Sequence, residues 1–461
     1  MSSSNEAVVF DVAVIGAGVV GCAVARRLTL AGRSVVVLER ASDILAGASK
    51  GNSALLHTGF DAPPESLELA CMRAGYEEYL AIRERLNLPL LETGAVVAAW
   101  SDADLAKLDA IEAQARANGV HDVRRLDRAE LLARERHLSQ TVLGGLLVPG
   151  EHVIDPWSAP LAYLRQAVEN GAQARFGAEV LAGEFARDAW TLRTAAGEVA
   201  AGTVVSCAGL FGDVVERRLL GETEMAIRPR KGQFVVFDKP AAGLLRTTIL
   251  PVPSERTKGV VLARTVFGNL LVGPTAEEQE DRERATVERA TLQQLIARAS
   301  EMVPALARMP VTATYAGLRP ATERKEYRVR HLPDRSWLTV GGIRSTGLTA
   351  ALGLAGHVAG LLGLDAGALP APTWPRMPNL AEHLERDWAV PGHGGIVCHC
   401  ELVSRREIEA ALAGPLRARD FGGLKRRTRA GMGRCQGFYC GAELAALTAG
   451  RFAEPLVVGR G

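Results

Sequence analysis

The chain has 461 residues, 48% of them hydrophobic, which is long enough for two or three domains with sizeable cores. Lys and Arg number 54 against 52 Asp and Glu, a net charge of +2 that argues against a nucleic-acid binder and for small-molecule chemistry. Seven cysteines over such a length do not form a secreted disulfide framework, and a reducing cytoplasm suits them.

The N-terminus MSSSNEAVVF lacks the basic and apolar regions of a signal peptide. Val12 to Ile15 then reads as a strand, Val19 to Leu30 as a helix and Val35 to Leu38 as a second strand. Between the first two, Gly16, Gly18 and Gly21 stand in GxGxxG spacing. The first glycine permits a tight turn, the second a close pyrophosphate, and the third close packing of helix on strand. A pyrophosphate would sit on the positive end of the helix dipole. Glu39, at the end of the second strand, is placed to accept hydrogen bonds from a ribose diol. FAD and NAD share this fingerprint, and the motif alone does not choose between them.

Downstream segments carry a resemblance. GASKGNSALLHTGFD at 47 to 61, HVIDP at 152 to 156, VVSCAGLFGD at 204 to 213, YAGLRP at 315 to 320 and VGGIRSTGLTAA at 340 to 351 form the set. Together they resemble the D-amino-acid-oxidase-like flavoproteins, and more narrowly the glycerol-3-phosphate dehydrogenase/oxidase and L-2-hydroxyglutarate dehydrogenase branch. The resemblance implies FAD, with the 47–61 segment beside the flavin ring and Arg40, Ser49, Asn52 and Ser53 among its contacts. It also implies Val180, and the small-residue turn at Ala208 and Gly209, near the flavin or its phosphates. Gly342, Ile343, Arg344, Ser345, Thr346, Gly347, Leu348 and Thr349 would cover the pyrimidine side of the ring and the ribityl chain from a second helix N-terminus.

Three residues are candidates for the reaction itself. Arg319 presents paired donors that match a carboxylate or phosphate, although an arginine before proline also serves as a structural ion pair. His57, after Leu55 and Leu56, reads either as a satisfied core histidine or as the base that takes a hydroxyl proton while hydride leaves carbon. Lys258 precedes two strands joined at Phe267 to Asn269 and is either a solvated turn residue or, by resemblance, a substrate neighbour.

Residues 368–380, ALPAPTWPRMPNL, hold four prolines in thirteen residues and read as an extended linker. Beyond it, Cys398 and Cys400 form a CxC pair and Cys435 and Cys440 a CxxxxC pair, each before a short helix. Four thiolates hold a [2Fe–2S] cluster or zinc. The spacing resembles the bacterioferritin-associated-ferredoxin-like [2Fe–2S] domain, which favours the cluster. Arg426, Arg427, Arg429 and Arg434 are candidates to balance its negative charge.

The expected fold is α/β, with a Rossmann-like FAD lobe from about 5–90, 145–225 and 318–366 and an inserted α+β substrate lobe from about 91–144 and 226–317. A proline-rich linker over 367–393 and a small helical cluster domain over 394–461 complete it. The expected reaction is FAD-dependent oxidation of the C–OH of a small anionic substrate, glycerol-3-phosphate or a related polyol phosphate, with electrons leaving through the cluster. L-2-hydroxyglutarate or another 2-hydroxy acid, an amine or imino-acid dehydrogenase, and an electron-transfer subunit of a larger complex are the alternatives. The electron acceptor would be a protein or a quinone-linked subunit, with no transmembrane segment and with peripheral membrane contact at most.

Overall fold

A computed structural model describes residues 9–253, 259–364 and 369–456. Val9–Ile15 lies inside an eight-stranded sheet, parallel to Val35–Leu38 on one side and to Gly197–Ser206 on the other. These strands are Val-rich because both of their faces are covered. Gly197–Ser206 serves two neighbours along its outer edge. Its first half pairs antiparallel with Ala189–Thr194, and its last residues pair parallel with Trp337–Gly341.

The helix Val19–Leu30 buries nine of its twelve residues, among them Cys22, Ala23, Val24 and Leu28. It packs against the helices Ser158–Glu169 and Gly347–Leu361. Gly347–Leu361 in turn crosses Leu67–Leu86 at a distance that only glycine allows: a Cβ on Gly75 would stand 2.1 Å from the Thr349 carbonyl oxygen, and one on Gly353 2.1 Å from that of Cys71. The apolar character of Gly347–Leu361 thus reflects a buried core position. Among the described residues no helix is long and apolar enough to cross a membrane.

A nine-stranded sheet forms a second layer, in which Ile227–Phe237 and Val311–Thr322 make a long antiparallel pair. Val311–Thr322 runs unbroken through residues 317 and 318, where sequence reasoning put a lobe boundary, and belongs wholly to this sheet. Its Pro320 is tolerated because, among the described residues, the strand has a partner on one edge only, Ile227–Phe237. A small three-stranded sheet, Leu55–Leu56, His152–Ile154 and Leu90–Leu91, ends at His57.

The proline-rich stretch is a strap laid from the ends of the helices Val19–Leu30 and Leu67–Leu86 to the nine-stranded sheet. Leu369 N–H bonds the Leu30 carbonyl, Met377 N–H that of Leu86 and Glu382 N–H that of Val266. Leu380 and Ala381 are buried, and Arg85 stacks 3.7 Å over the Trp374 ring. The prolines suit an extended path, and apolar residues between them pin it down.

The C-terminal module has its own core of Val397, Val403, Ile408, Leu424 and Leu444. It contains a third helix, Phe421–Thr428, between the two expected at Arg405–Ala411 and Gly441–Thr448. Two glycines in its first turn hide this helix from propensity, but Asp420 caps it by accepting from Gly423 N–H at 2.6 Å.

Candidate active site and thiol centre

A cavity of about 1160 Å³ opens between the two large sheets, with Glu39 and Arg319 both in its wall. Its size suits a large cofactor together with a small substrate. At one end stand Gly16, Gly18 and the start of the helix Val19–Leu30. Gly16 has φ +102°, and a Cβ there would meet the Cys207 carbonyl oxygen at 2.6 Å. Gly21 is outside the cavity wall and works from behind, since a Cβ on it would stand 1.9 Å from the Gly16 carbonyl oxygen. Ser49 Oγ accepts from Val19 N–H at 3.0 Å, which brings the 47–61 segment against the helix N-terminus. Glu39 is held as a fixed acceptor by Ala17 N–H at 2.7 Å and Ala41 N–H at 2.9 Å. A glycine cradle, a helix N-terminus and a strand-end carboxylate together fit a dinucleotide.

Asn52, Ser53, Val180, Ala208, Gly209 and the turn Gly342–Leu348 line the same cavity. Arg40 also reaches it, but its guanidinium is engaged by Glu283 at 2.9 Å and stacks 3.8 Å over Phe211. Thr349 is buried behind the wall, where its Oγ1 accepts from His57 N–H at 3.0 Å. Lys258 lies outside the described residues.

Opposite the glycine cradle, positive charge gathers. Arg230 and Arg319 are directly opposed across the strand pair, and Arg344 enters from the 342–348 turn. Glu278 stands opposite Arg230 on its other edge, so the charge of Arg319 and Arg344 is what a small anion would meet there. Each terminal nitrogen of Arg319 lies 3.3 Å from the Thr275 carbonyl, and Arg319 forms no ion pair among the described residues. Burial, then the guanidinium groups of Arg230 and Arg344, push Arg319 down to about 10, so it stays charged at neutral pH. Burial also holds Arg344 below its usual value, against the pull of Glu68.

His57 borders the cavity, and its Nδ1 lies 2.7 Å from Glu151 Oε2. The other carboxylate oxygen of Glu151, a residue 1% exposed, accepts from Thr58 N–H at 2.6 Å and Thr58 Oγ1 at 2.8 Å. A carboxylate at Nδ1 favours the tautomer that carries its proton there and leaves Nε2 able to accept one. Sequence reasoning missed Glu151 and Arg230. Glu151 directly precedes HVIDP, and only its burial beside an imidazole distinguishes it from a surface acid.

The four C-terminal thiols face one another, Cys440 towards Cys398 and Cys435, and Cys400 towards Cys435 and Cys398. Backbone N–H groups of Tyr439, and after it Gly437 and Phe438, draw the Cys435 pKa down and favour its thiolate. Among the described residues no three His, Cys, Asp or Glu side chains gather as a site for a single metal ion. Cys22, Cys71 and Cys207 are buried and away from this centre, and burial raises all three.

Three of the four arginines expected to balance a cluster join the module to the rest of the molecule, and Arg429 pairs within it. Arg427 grips both oxygens of the fully buried Asp43, at 2.9 and 2.7 Å, and Arg426 donates to the Ile44 carbonyl. Arg434 pairs with Asp238 at 2.6 Å, and Arg429 with Glu401 at 2.8 Å.

Comparison with known proteins agrees with this layout. Residues 11–361 match the family described as FAD dependent oxidoreductase, and residues 396–449 the BFD-like [2Fe-2S] binding domain. A glycerol 3-phosphate dehydrogenase of Caloramator mitchellensis is 31% identical over 94% of this chain and 92% of its own length. A glycerol 3-phosphate oxidase of Mycoplasma pneumoniae is 28% identical over 74% of this chain and 91% of its own. The solved structure of dithionite-reduced L-alpha-glycerophosphate oxidase from Mycoplasma pneumoniae with FAD bound superposes with a TM-score of 0.75. It covers 81% of this chain and 100% of its own at 24% identity, and so speaks for the fold. The chain therefore belongs to the FAD-dependent oxidoreductase family, as an enzyme whose cofactors are FAD and, in a BFD-like C-terminal domain, a [2Fe–2S] cluster.

Proposed function

We propose that the protein is a dehydrogenase that oxidises the C–OH of a small phosphorylated polyol, glycerol-3-phosphate first among them. The observation that carries this reading is the convergence of Arg319 and Arg344 at one end of a cavity that His57 also borders. Two guanidinium groups with paired donors match a phosphate dianion. The likeness to named glycerol 3-phosphate dehydrogenases and oxidases supports the same substrate. A 2-hydroxy diacid such as L-2-hydroxyglutarate is the second reading, because its two carboxylates carry the same total charge.

In this scheme Arg319 holds the anionic group and fixes the carbinol carbon in one orientation. His57, with Glu151 at Nδ1, takes the hydroxyl proton at Nε2, and Glu151 stabilises the imidazolium that results. When bound, FAD supplies the hydride acceptor and the [2Fe–2S] cluster a one-electron outlet towards an acceptor protein or quinone-linked subunit. Gly16, Gly18, Ser49 and Glu39 would hold the nucleotide half, and the 342–348 turn the ring end.

Anaerobic titration of the purified holoenzyme with phosphorylated polyols, 2-hydroxy acids and amino acids tests this. Bleaching of the flavin band at the lowest concentration by a polyol phosphate is the expected result. If only amino acids bleach it, or nothing does, the assignment fails.

A further inference from the structure

Docking of the C-terminal module is already accounted for by Arg427 on Asp43 and Arg434 on Asp238, yet a third contact joins all three parts of the molecule. Trp157, at the start of the helix Ser158–Glu169, donates its indole N–H to the carbonyl of Lys50 at 3.2 Å, in the cavity wall next to Asn52. Its ring stacks on Phe267, with centroids 5.5 Å apart and planes at 14°. Phe267 is only 4% exposed and sits on the turn joining Val261–Arg264 to Leu270–Gly273. On the same ring lies the Arg429 guanidinium, 3.9 Å from the centroid. Arg429 then donates from Nε to Glu401 Oε2 at 2.8 Å, and Glu401 is the chain neighbour of Cys400.

Each member comes from a different part of the fold: the flavin lobe, the nine-stranded sheet and the thiol module. Arg429 is also strained. It caps the helix Phe421–Thr428 at φ +67°, a left-handed conformation usually filled by glycine, and the guanidinium–ring contact and the Glu401 pair hold it there. Docking alone would be served by a glycine at that cap.

We propose that Trp157, Phe267 and Arg429 form the relay along which electrons pass from the flavin cavity to the cluster. Packed and hydrogen-bonded atoms carry electronic coupling better than gaps do, and this stack gives unbroken contact from the Lys50 carbonyl to the residue beside Cys400. No bond along the relay is made or broken. One electron leaves the reduced flavin for each oxidised cluster that is reduced, and the flavin's proton goes to water. Two passages clear one substrate oxidation, with a one-electron acceptor such as ferricyanide reoxidising the cluster in between. The proposal rests on the reading above only in taking FAD as donor and the cluster as acceptor.

The test uses the holoenzyme, with the flavin reduced photochemically so that no substrate is needed, and follows flavin and cluster absorbance together under anaerobic conditions. Phe267→Leu and Trp157→Leu are expected to slow flavin-to-cluster transfer at least tenfold, with cluster content and the midpoint potentials of both centres unchanged. Phe267→Tyr is expected to restore it. A purely structural role would lower cluster content or thermal stability and leave the rate in intact molecules alone. If Phe267→Leu sheds its cluster, Trp157→Leu, which lies outside the thiol module, decides. Transfer less than tenfold slower than in the unaltered protein overturns the relay. Failure of every substrate to bleach the flavin, with photochemical transfer intact and slowed by these variants, would overturn the proposed substrate and leave the relay standing.

Discussion

The two ends of the cavity are built in opposite ways. The nucleotide end is mostly backbone: Gly16 and Gly18 in the wall, Gly21 behind them, a helix N-terminus and one carboxylate all fall between Val9 and Glu39, and Ser49 joins them from the next segment. At the other end the wall is largely side chain, with Arg230 and Arg319 from strands 227–237 and 311–322, Arg344 from the turn at 342–348 and His57 from the 47–61 segment. Backbone recognises what every dinucleotide shares, whereas convergent side chains select one substrate. Damage to the first should therefore abolish the cofactor site, and damage to the second should leave the flavin in place and change only the reaction.

The largest effect is expected from Gly21→Val. Its Cβ would stand 1.9 Å from the Gly16 carbonyl oxygen, a contact relieved only if the helix Val19–Leu30 lifts off the strand before it. Flavin absorbance per mole of purified protein is expected to fall below about a tenth of its normal value. Retention of full flavin would show that close packing here is not what shapes the cradle.

At the opposite end, Arg319→Ala is expected to keep the flavin and to lower kcat/KM for a polyol phosphate by about 1000-fold, or ~4 kcal/mol. Arg319→Lys should recover only part of this, because an ammonium cannot reproduce the paired donors. The pH dependence has a definite sign. Burial and its two cationic neighbours lower Arg319 to about 10, so the folded state holds this proton less tightly than the unfolded chain does. The trio thus costs stability at neutral pH, and that cost fades as pH rises through about 10. Inorganic phosphate should raise the Tm at pH 7 to 8, lose this effect above pH 10, and have much less effect in Arg319→Ala at any pH.

The same contrast explains what the sequence disclosed. The GxGxxG turn, Glu39 and the cysteine pairs are local patterns whose spacing states their geometry. Arg319 and His57 were found through short motifs, but their partners were not. Arg230 lies 89 positions before Arg319 and becomes its neighbour only through antiparallel register. Glu151 lies 94 positions after His57 and reaches it because His152–Ile154 pairs with Leu55–Leu56. Asp43 carried no mark of its link to Arg427, 384 positions away, so the docking contacts made from the arginine run at 426 to 434 were not legible. Charge type is legible along a chain, but the partner that claims a charge depends on tertiary packing.

The smallest of these effects, and the sharpest test of the side-chain end, belongs to Glu151→Gln. The carboxylate has two acceptor oxygens: one takes Thr58 N–H and Oγ1–H, and the other faces His57 Nδ1. Glutamine has one. The Thr58 backbone N–H cannot turn away, so the amide oxygen should stay with Thr58 and the amide NH₂ should face His57. His57 Nδ1 must then accept, which moves its proton to Nε2 and removes the lone pair that would take the substrate proton. A loss of about 100-fold in kcat is expected, with KM and flavin content little changed. Glu151→Asp, which keeps both acceptors but draws them back, should lose less. If Glu151→Gln matched the unaltered enzyme, His57 would not be acting as the base, and the reading of this histidine as a satisfied wall residue would stand.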